Sequence, residues 1–522
     1  MKTAIDFYSG IGGWTLGMKL SGIENVASYE WWSEANQTHN VNFGTSHKEI
    51  DIRKIEVKDL KFDRKIDFIV GSPPCTQFSY ANRGGNGDIQ DGLIDVFKFL
   101  EIVDFLKPKY WAMENVPRVA SIIEREIEGD GALARFKHLV KVITIVDSSE
   151  YGVPQKRKRM IAGNFPIGLF SEYKKTIPTV TLGDVLNSLK GDKVTDINFG
   201  YTLSRSEITE LENEVDLTPQ EERINKDSKT FHPIYNKMSF PDKLDRSSRT
   251  VTATCTRVSR ESIIVESETG YRRLNVRERG VIQGFPLTYQ FYGRTLNNKF
   301  KMIGNAVPPI LTYYIFQAML EIQPDAVVSP KYGTYFHEKP KFSTYKSELG
   351  LPKRKYSAKR KFKFAVPNLR YGSGVRFELS NNPKVDEIPW SFKFYHGNSK
   401  NIKEVTLDKD IKAFLAPIVN TTKNEFVTDY VDKIVENYND FSSDKLQELW
   451  ISKQSDTEIF DFLDDIGEYV ETIIERADYS SLPNNLLPVI TGEENRKLES
   501  NEHSILTGIY LLSSLNQKFF DI

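Results

Sequence analysis

The first third of the chain predicts an α/β fold, a parallel sheet covered by helices on both faces. Three observations carry this. Short apolar strands alternate with amphipathic helices over roughly the first 165 residues. Glycines gather in the first strand-to-helix turn, and from Phe165 to Arg273 the alternation stops.

Taken in order, "TAIDFYS" reads as a strand, "GWTLGMKLSG" as a helix, and "NVASYEW" and "KIDFIVGS" as strands. "GLIDVFKFLEIVDFLKP" has helical spacing, and "YWAMENV" and "KVITIVDSS" return to strand. Phe165–Arg273 is polar and loop-rich, with one β-like piece in "SRTVTATCTRVSRESIIV". Order returns at "LNVRERGVIQGF" and "GNAVPPILTYYIFQAMLEI", where Pro308 and Pro309 suit the first turn of a long helix. After about residue 330 the pattern changes to α+β. "VRFEL" and "WSFKFYH" alternate as strands do, and "EIFDFLDDIGEYVETIIERA" is an acid-faced amphipathic helix.

The 522 residues leave room for a catalytic core and a further domain, and 39% apolar residues suffice to fill cores. Two distant cysteines exclude a disulfide framework and a cysteine zinc site, so a reducing, cytoplasmic interior and no metal are expected. Asp6 interrupts the apolar run that an export signal needs, and no stretch is long enough to span a bilayer. The net charge of −1 is uninformative about nucleic acid, because binding depends on where charges sit. "LPKRKYSAKRKFKF" (Leu351–Phe364) is strongly basic, whereas the last hundred residues lean acidic.

Ligands of such sheets bind beyond the strand carboxyl ends, so residues just after each strand carry most weight. "IDFYSGIGGWTLG" (Ile5–Gly17) places glycines where a cofactor would approach the backbone. Glu30 ends the second strand, where acids bind ribose hydroxyls, and Trp31 offers a flat face for adenine. "GSPPCTQFS" (Gly71–Ser79) sets one of the two cysteines, Cys75, behind two prolines that stiffen its turn.

Six motifs, in order, make the chain resemble the DNA (cytosine-5) methyltransferase family. "DFYSGIGG" resembles its first S-adenosylmethionine motif, "GSPPCTQFS" its Pro-Cys nucleophile motif and "ENVP" (Glu114–Pro117) its Glu-Asn-Val motif. "QKRKRM" (Gln155–Met160) resembles Gln-x-Arg-x-Arg, and "RRLNVRERGVIQGFP" and "IGNAVPP" resemble the last two. The resemblance spans about residues 1–325. It implies a Rossmann-like S-adenosylmethionine-dependent methyltransferase core over 1–164, completed by 274–325. A small irregular target-recognition domain over 165–273 and an α+β extension of unknown role over 326–522 complete the expected organisation.

The same resemblance implies catalytic roles for Cys75, Glu114 and Arg159, with Arg157 as a support that pairs with acids or phosphate. It assigns the S-adenosyl-L-methionine site to Tyr8, Gly10, Gly12, Gly13, Glu30, Trp31, Asp51, Ile52, Asn305 and Val307, with the last motif's helix packed beside the first strand. The partner it implies is double-stranded DNA with a flipped-out cytosine, with no membrane, and the extension is a candidate surface for a partner protein. A restriction-modification role is the expectation. An RNA substrate, or a non-catalytic DNA-binding regulator on this scaffold, are the alternatives. The sequence departs from the family pattern at Tyr8, where phenylalanine is common, and at Thr76, which displaces the usual glutamine to Gln77. The glycine-rich "YANRGGNGDIQDG" (Tyr80–Gly92) is expected to be a loop that closes over DNA, and Cys255 a packing residue.

Overall fold

The computed structural model describes the chain except residues 79–86, 212–213, 231–237, 333–355, 372–374, 383–389, 399–400, 421–422, 453–457, 484, 493–500 and 521–522. It comprises two units, residues 1–216 with 241–347, and residues 217–240 with 348–522. Residues 351–355 of the basic stretch and residues 80–86 of the expected closing loop lie outside the described residues.

The first unit is built on a six-stranded sheet. Its elements are β1 (Thr3–Phe7), α1 (Gly13–Leu20), β2 (Glu24–Tyr29), α2 (Ser33–Phe43), β3 (Phe68–Gly71), α3 (Ile89–Leu106), β4 (Tyr110–Asn115), β5 (Val142–Asp147) and β6 (Lys158–Gly163). The strand order is β2-β1-β3-β4-β6-β5. β1 pairs in parallel with β2 and β3, and β3 with β4. The expected all-parallel sheet is corrected at β6, which runs antiparallel to both β4 and β5. A connection of ten residues joins β5 to β6, too short for the crossover that a parallel pair requires. β1 and β3 are buried throughout, as strands covered on both faces must be.

Asp88 starts α3 by accepting the backbone N–H groups of Gln90 and Asp91, so the end of the expected loop is helix. Pro308 and Pro309 open the helix Pro309–Met319 as anticipated. That helix packs chiefly on α1, and its Leu311 and Ile315 share one hydrophobic core with Ala4 of β1. Thr312 donates to the Gly13 carbonyl at 2.9 Å, and a Cβ on Gly17 would come within 2.2 Å of the Thr312 hydroxyl. The β-like reading of residues 248–265 holds only at its end, where Ile264–Glu266 pairs with Tyr271–Arg273. Upstream, Ser259 and Ser262 bond the backbone around Thr256 and compete with ladder formation.

In the second unit a four-stranded antiparallel sheet carries Phe377 and Leu379 on one face and Arg376 and Glu378 on the other. Phe392 meets Phe462 of the helix Glu458–Arg476 at 6.2 Å. The helix Pro219–Thr230, drawn from the middle of the Phe165–Arg273 stretch, belongs to this unit. Arg223 pairs with Asp464 at 2.5 Å, and Arg370 donates to the Thr230 carbonyl at 2.7 Å. A chain ended at Asp325 removes both partners. Limited proteolysis is then expected to cut within Pro219–Thr230 at least tenfold faster than in the full chain, about the population change that losing 1–2 kcal/mol allows.

Candidate active site

The sheet brings three polar side chains to one edge, each from the carboxyl or amino end of a neighbouring strand. Where β3 ends, Gly71 is required, because a Cβ there would lie 2.7 Å from the Phe7 carbonyl and 2.6 Å from the Phe99 ring. The chain then turns through Pro73 and Pro74 into Cys75. Asn115, at the end of β4, donates to the Pro73 carbonyl at 3.0 Å, and Phe78 N–H closes on the Cys75 carbonyl at 3.0 Å. Buried Phe78 packs over Gly92 and anchors the turn to α3.

Glu114, one residue before Asn115, is buried and meets Arg159 Nε at 2.9 Å. Removing either partner of such a pair would leave an uncompensated buried charge. Cys75 is only partly covered, yet its surroundings are desolvated. Burial pushes the thiol above its ordinary value; the Arg159 guanidinium opposes this, the Glu114 carboxylate reinforces it, and Arg157 opposes it further.

The two arginines of "QKRKR" part company. Strand period places Gln155, Arg157 and Arg159 on the inner side and leaves Lys156 and Lys158 exposed. The expected acid or phosphate partner of Arg157 is corrected by the structure. Its fully buried guanidinium donates to the carbonyls of Val251, Gly304 and Ala306 at 3.1, 3.0 and 3.2 Å. Gln155 joins the same lock, accepting Val251 N–H at 2.6 Å and donating to Gln283 at 2.6 Å. Desolvation lowers the Arg157 pKa to about 9, with like-charged Arg159 the next cause.

Two cavities open beside this edge. One, of about 330 Å³, is lined by Tyr8, Trp31, Asp51, Ile52, Arg53, Pro74, Thr76, Gln77, Asp91 and Asp95. That volume suits a small organic ligand. The other is lined by Tyr8, Gly10, Gly13, Trp14, Ser72, Asn305 and Val307 among others. Tyr8 joins the two, in a left-handed conformation (φ 56°) that costs a non-glycine residue about 1–3 kcal/mol. Its hydroxyl lies 3.3 Å from the Asp95 carboxylate.

The glycines divide by role. Gly10 (φ 53°) faces open space, which leaves its backbone approachable. Gly12 (φ 87°) lines neither cavity, and a Cβ there would lie 2.4 Å from the Phe43 ring. At Gly13 a Cβ would meet the Val307 carbonyl at 2.2 Å, so its smallness serves the return of the last motif. Glu30 also lines neither cavity. Its carboxylate accepts the N–H groups of Gly10, Trp31 and Trp32 at 2.8, 2.9 and 2.7 Å and holds the first two strand-end loops together. Trp31 is 62% exposed, with its indole on the larger cavity. Asp51 caps its own turn by accepting Arg53 N–H at 3.2 Å, and Ile52 is buried beneath. Of the ten residues expected at the cofactor site, eight line one or the other cavity, and Gly12 and Glu30 line neither. Arg53, Gln77, Asp91 and Asp95 were not anticipated, although an Asp91–Asp95 spacing of four places two carboxylates on one helix face. Cys255 is buried beside Ser262, away from these cavities' linings.

Below the first loop, Thr15 donates to Asp6 at 2.8 Å and meets His39 Nε2 at 3.0 Å. Burial raises the Asp6 carboxyl to about 8, and its second oxygen has no partner. The folded chain therefore keeps a proton that the unfolded chain releases above about pH 4. This group's contribution to stability is complete below that value and is lost as pH rises toward 8, at up to about 1.4 kcal/mol per pH unit. Thermal melts should show Asp6→Asn gaining on the wild type from pH 5 to pH 8. A gap independent of pH would contradict the buried, protonated carboxyl.

A family model described as C-5 cytosine-specific DNA methylase matches residues 2–321. The chain is 29% identical over 347 residues to Type II methyltransferase M.NgoPII of Neisseria gonorrhoeae, across 60% of this chain and 94% of that one. It is 28% identical to Type II methyltransferase M.FnuDI of Fusobacterium nucleatum, across 62% and 95%. Among solved structures, the S. pombe Dnmt2 methyltransferase aligns with a TM-score of 0.44 and 17% identity, covering 62% of this chain and 99% of that one.

Proposed function

Because the chain belongs to the C-5 cytosine-specific DNA methylase family, we propose that it transfers a methyl group from S-adenosyl-L-methionine to carbon 5 of cytosine within a specific double-stranded DNA sequence. The observation that carries this is the convergence of Cys75, in its proline-stiffened turn, with the buried Glu114–Arg159 pair beside two joined cavities.

The residues present fit the cofactor. Trp31 offers a face for adenine, Asp51 a carboxylate for its amino group, and Gly10 a bare backbone. Among the described residues Glu30 Oε2 receives Gly10 N–H alone, which leaves a lone pair for a ribose hydroxyl. Asn305 and Val307 close the second cavity, while Gly12 and Gly13 act by letting the loop pack. When bound, S-adenosyl-L-methionine supplies an electrophilic methyl group on a sulfonium.

The target base must leave the duplex to reach Cys75, at a cost of a few kcal/mol. The Cys75 thiolate adds to carbon 6, and the electrons of the 5,6 double bond turn carbon 5 into a nucleophile toward that methyl group, whose leaving group is the neutral thioether. Loss of the carbon 5 proton to solvent and expulsion of the Cys75 thiolate from carbon 6 then restore the double bond and free the enzyme. Glu114 shares a proton with N3 and accepts from the amino group as charge moves into the ring. Arg159 holds both Glu114 and the cytosine carbonyl oxygen. Arg157 and Gln155 contribute by locking the segment at Val251 and the last motif behind the site. Segments 165–216 and 241–273 are assigned to target reading, and their Arg, Ser and Thr side chains suit phosphates and bases.

The Type II names of the relatives favour the protective half of a restriction-modification system. Among the described residues, no helix is long and apolar enough to cross a membrane. Bisulfite sequencing of DNA from cells expressing the protein, beside a Cys75→Ser control, tests the reading. Protected cytosines in one short context, absent from the control, are expected. Unprotected DNA from cells that hold soluble protein would refute it.

A further inference from the structure

Gln77 stands two residues after the nucleophile and closes the base of the loop that follows. Its side-chain oxygen accepts Asp88 N–H at 3.0 Å, and its amide donates to Asp91 at 3.1 Å. Gly87 lies so close that a Cβ would come within 2.1 Å of the Gln77 carbonyl oxygen. Gln77 is thereby held against Gly87 and the first turn of α3.

The same helix face is gripped from the other side by Arg53. Its guanidinium meets Asp95 through Nε and Nη2 at 2.9 and 2.6 Å, and Asp91 through Nη1 at 2.8 Å. Such forked pairs fix orientation as well as distance. Arg53 belongs to the short turn Ile52–Lys54, capped by Asp51. Asp51, Ile52 and Arg53 line the larger cavity together with Gln77, Asp91 and Asp95. Asp95 in turn meets the hydroxyl of Tyr8, which also lines that cavity. A continuous chain of side-chain bonds thus runs from Tyr8 through Asp95, Arg53 and Asp91 to Gln77, at the stem of the nucleophile's loop.

We propose that Arg53 and Gln77 are positioning residues that couple filling of the adenosyl cavity to the placement of Cys75. Filling the cavity immobilises the Asp51–Arg53 turn, the turn fixes Asp91, and Asp91 sets Gln77 and the Cys75 turn. This rests on the methyltransferase reading above and deepens it. It also assigns a task to the displaced glutamine. At position 77 its amide reaches the α3 cap, two residues beyond the thiol.

The test reads Cys75 alkylation by iodoacetamide, followed by peptide mass, with and without saturating S-adenosyl-L-methionine. Calorimetry gives the cofactor affinity of each protein. In the wild type the cofactor should change the Cys75 alkylation rate by at least about fivefold. In Gln77→Ala that ratio should fall below about twofold when read at a cofactor concentration that saturates the variant, because the bond from Asp91 to the Cys75 turn is cut. Arg53→Gln should lose the ratio and weaken cofactor binding as well. In methyl-transfer assays each variant should lose about 10–100-fold in kcat, the scale of a misplaced reacting group. The double variant should be no more than about threefold worse than the poorer single, since both cut one chain. Gln77 is partly exposed, so the Gln77→Ala melt should stay close to the wild type, whereas Arg53→Gln leaves the buried Asp95 carboxylate without its cation and should melt lower. Retention of the cofactor effect in both variants, or additive losses in the double, would overturn the coupling. Failure of the wild type to bind the cofactor at all would instead overturn the methyltransferase reading on which the coupling rests.

Discussion

Cys75→Ser should lower methyl transfer by about 1,000-fold or more while leaving S-adenosyl-L-methionine affinity within about twofold. A serine hydroxyl is far less acidic than a thiol and needs an adjacent base to attack carbon 6. Among the described residues the groups that face Cys75 offer none, because the Glu114 carboxylate is paired with Arg159 at 2.9 Å and Arg157 is spent on backbone carbonyls. The affinity should survive, because Cys75 lines neither cavity. Single-turnover transfer to DNA and calorimetry with the cofactor separate the two quantities. A serine variant retaining near-normal transfer would remove the covalent step from the mechanism.

Glu114→Gln and Arg159→Ala should each lower transfer by about 100- to 10,000-fold, the range for a lost proton-handling group or a broken buried pair. What distinguishes them is the thiol. Glu114 raises the Cys75 pKa and Arg159 lowers it. Removing the carboxylate should therefore shift the pH profile of Cys75 alkylation toward lower pH, and removing the guanidinium toward higher pH. At neutral pH, Glu114→Gln should be alkylated faster than the wild type and Arg159→Ala more slowly, although both are poor catalysts. In the wild type the raised thiol predicts transfer that climbs with pH through the alkaline range. Alkylation profiles moving in the same direction in the two variants would show that the pair does not face Cys75 as the structure places it.

Much of the first unit was legible because its signals are local. The alternation of β1, α1, β2, β3 and α3 needs only residues a few positions apart, and so do the Cys75 turn and the proline start of Pro309–Met319. β6 was not legible. Its basic sequence reads as a solvated patch, and its strand character comes from pairing with β4 and β5. The glycines of the first loop were legible as a motif but not by role. Whether a missing side chain makes room for a ligand, as at Gly10, or for Phe43 and Val307, as at Gly12 and Gly13, depends on what the fold brings there.

The extension shows the same limit on a larger scale. Strands Arg376–Asn381 and Trp390–Asn398 and helix Glu458–Arg476 follow from their periodicity. Nothing in the composition of Pro219–Thr230 says that it folds with them. That membership rests on Arg223 and Thr230 meeting residues 241 and 140 positions away.

The sequence by itself determined the chemistry of this protein. A thiol behind two prolines, a carboxylate and an arginine at strand ends, and a glycine turn sit in short motifs whose local geometry is set by φ restriction and strand period. Only the tertiary structure decided which member of each motif faces the site. It turned Arg157 inward to carbonyls and Arg159 to Glu114, made Glu30 a clamp between two loops, and joined Arg53 to Gln77 across 24 positions of chain. Those choices depend on buried groups finding partners far along the chain, which no local pattern specifies.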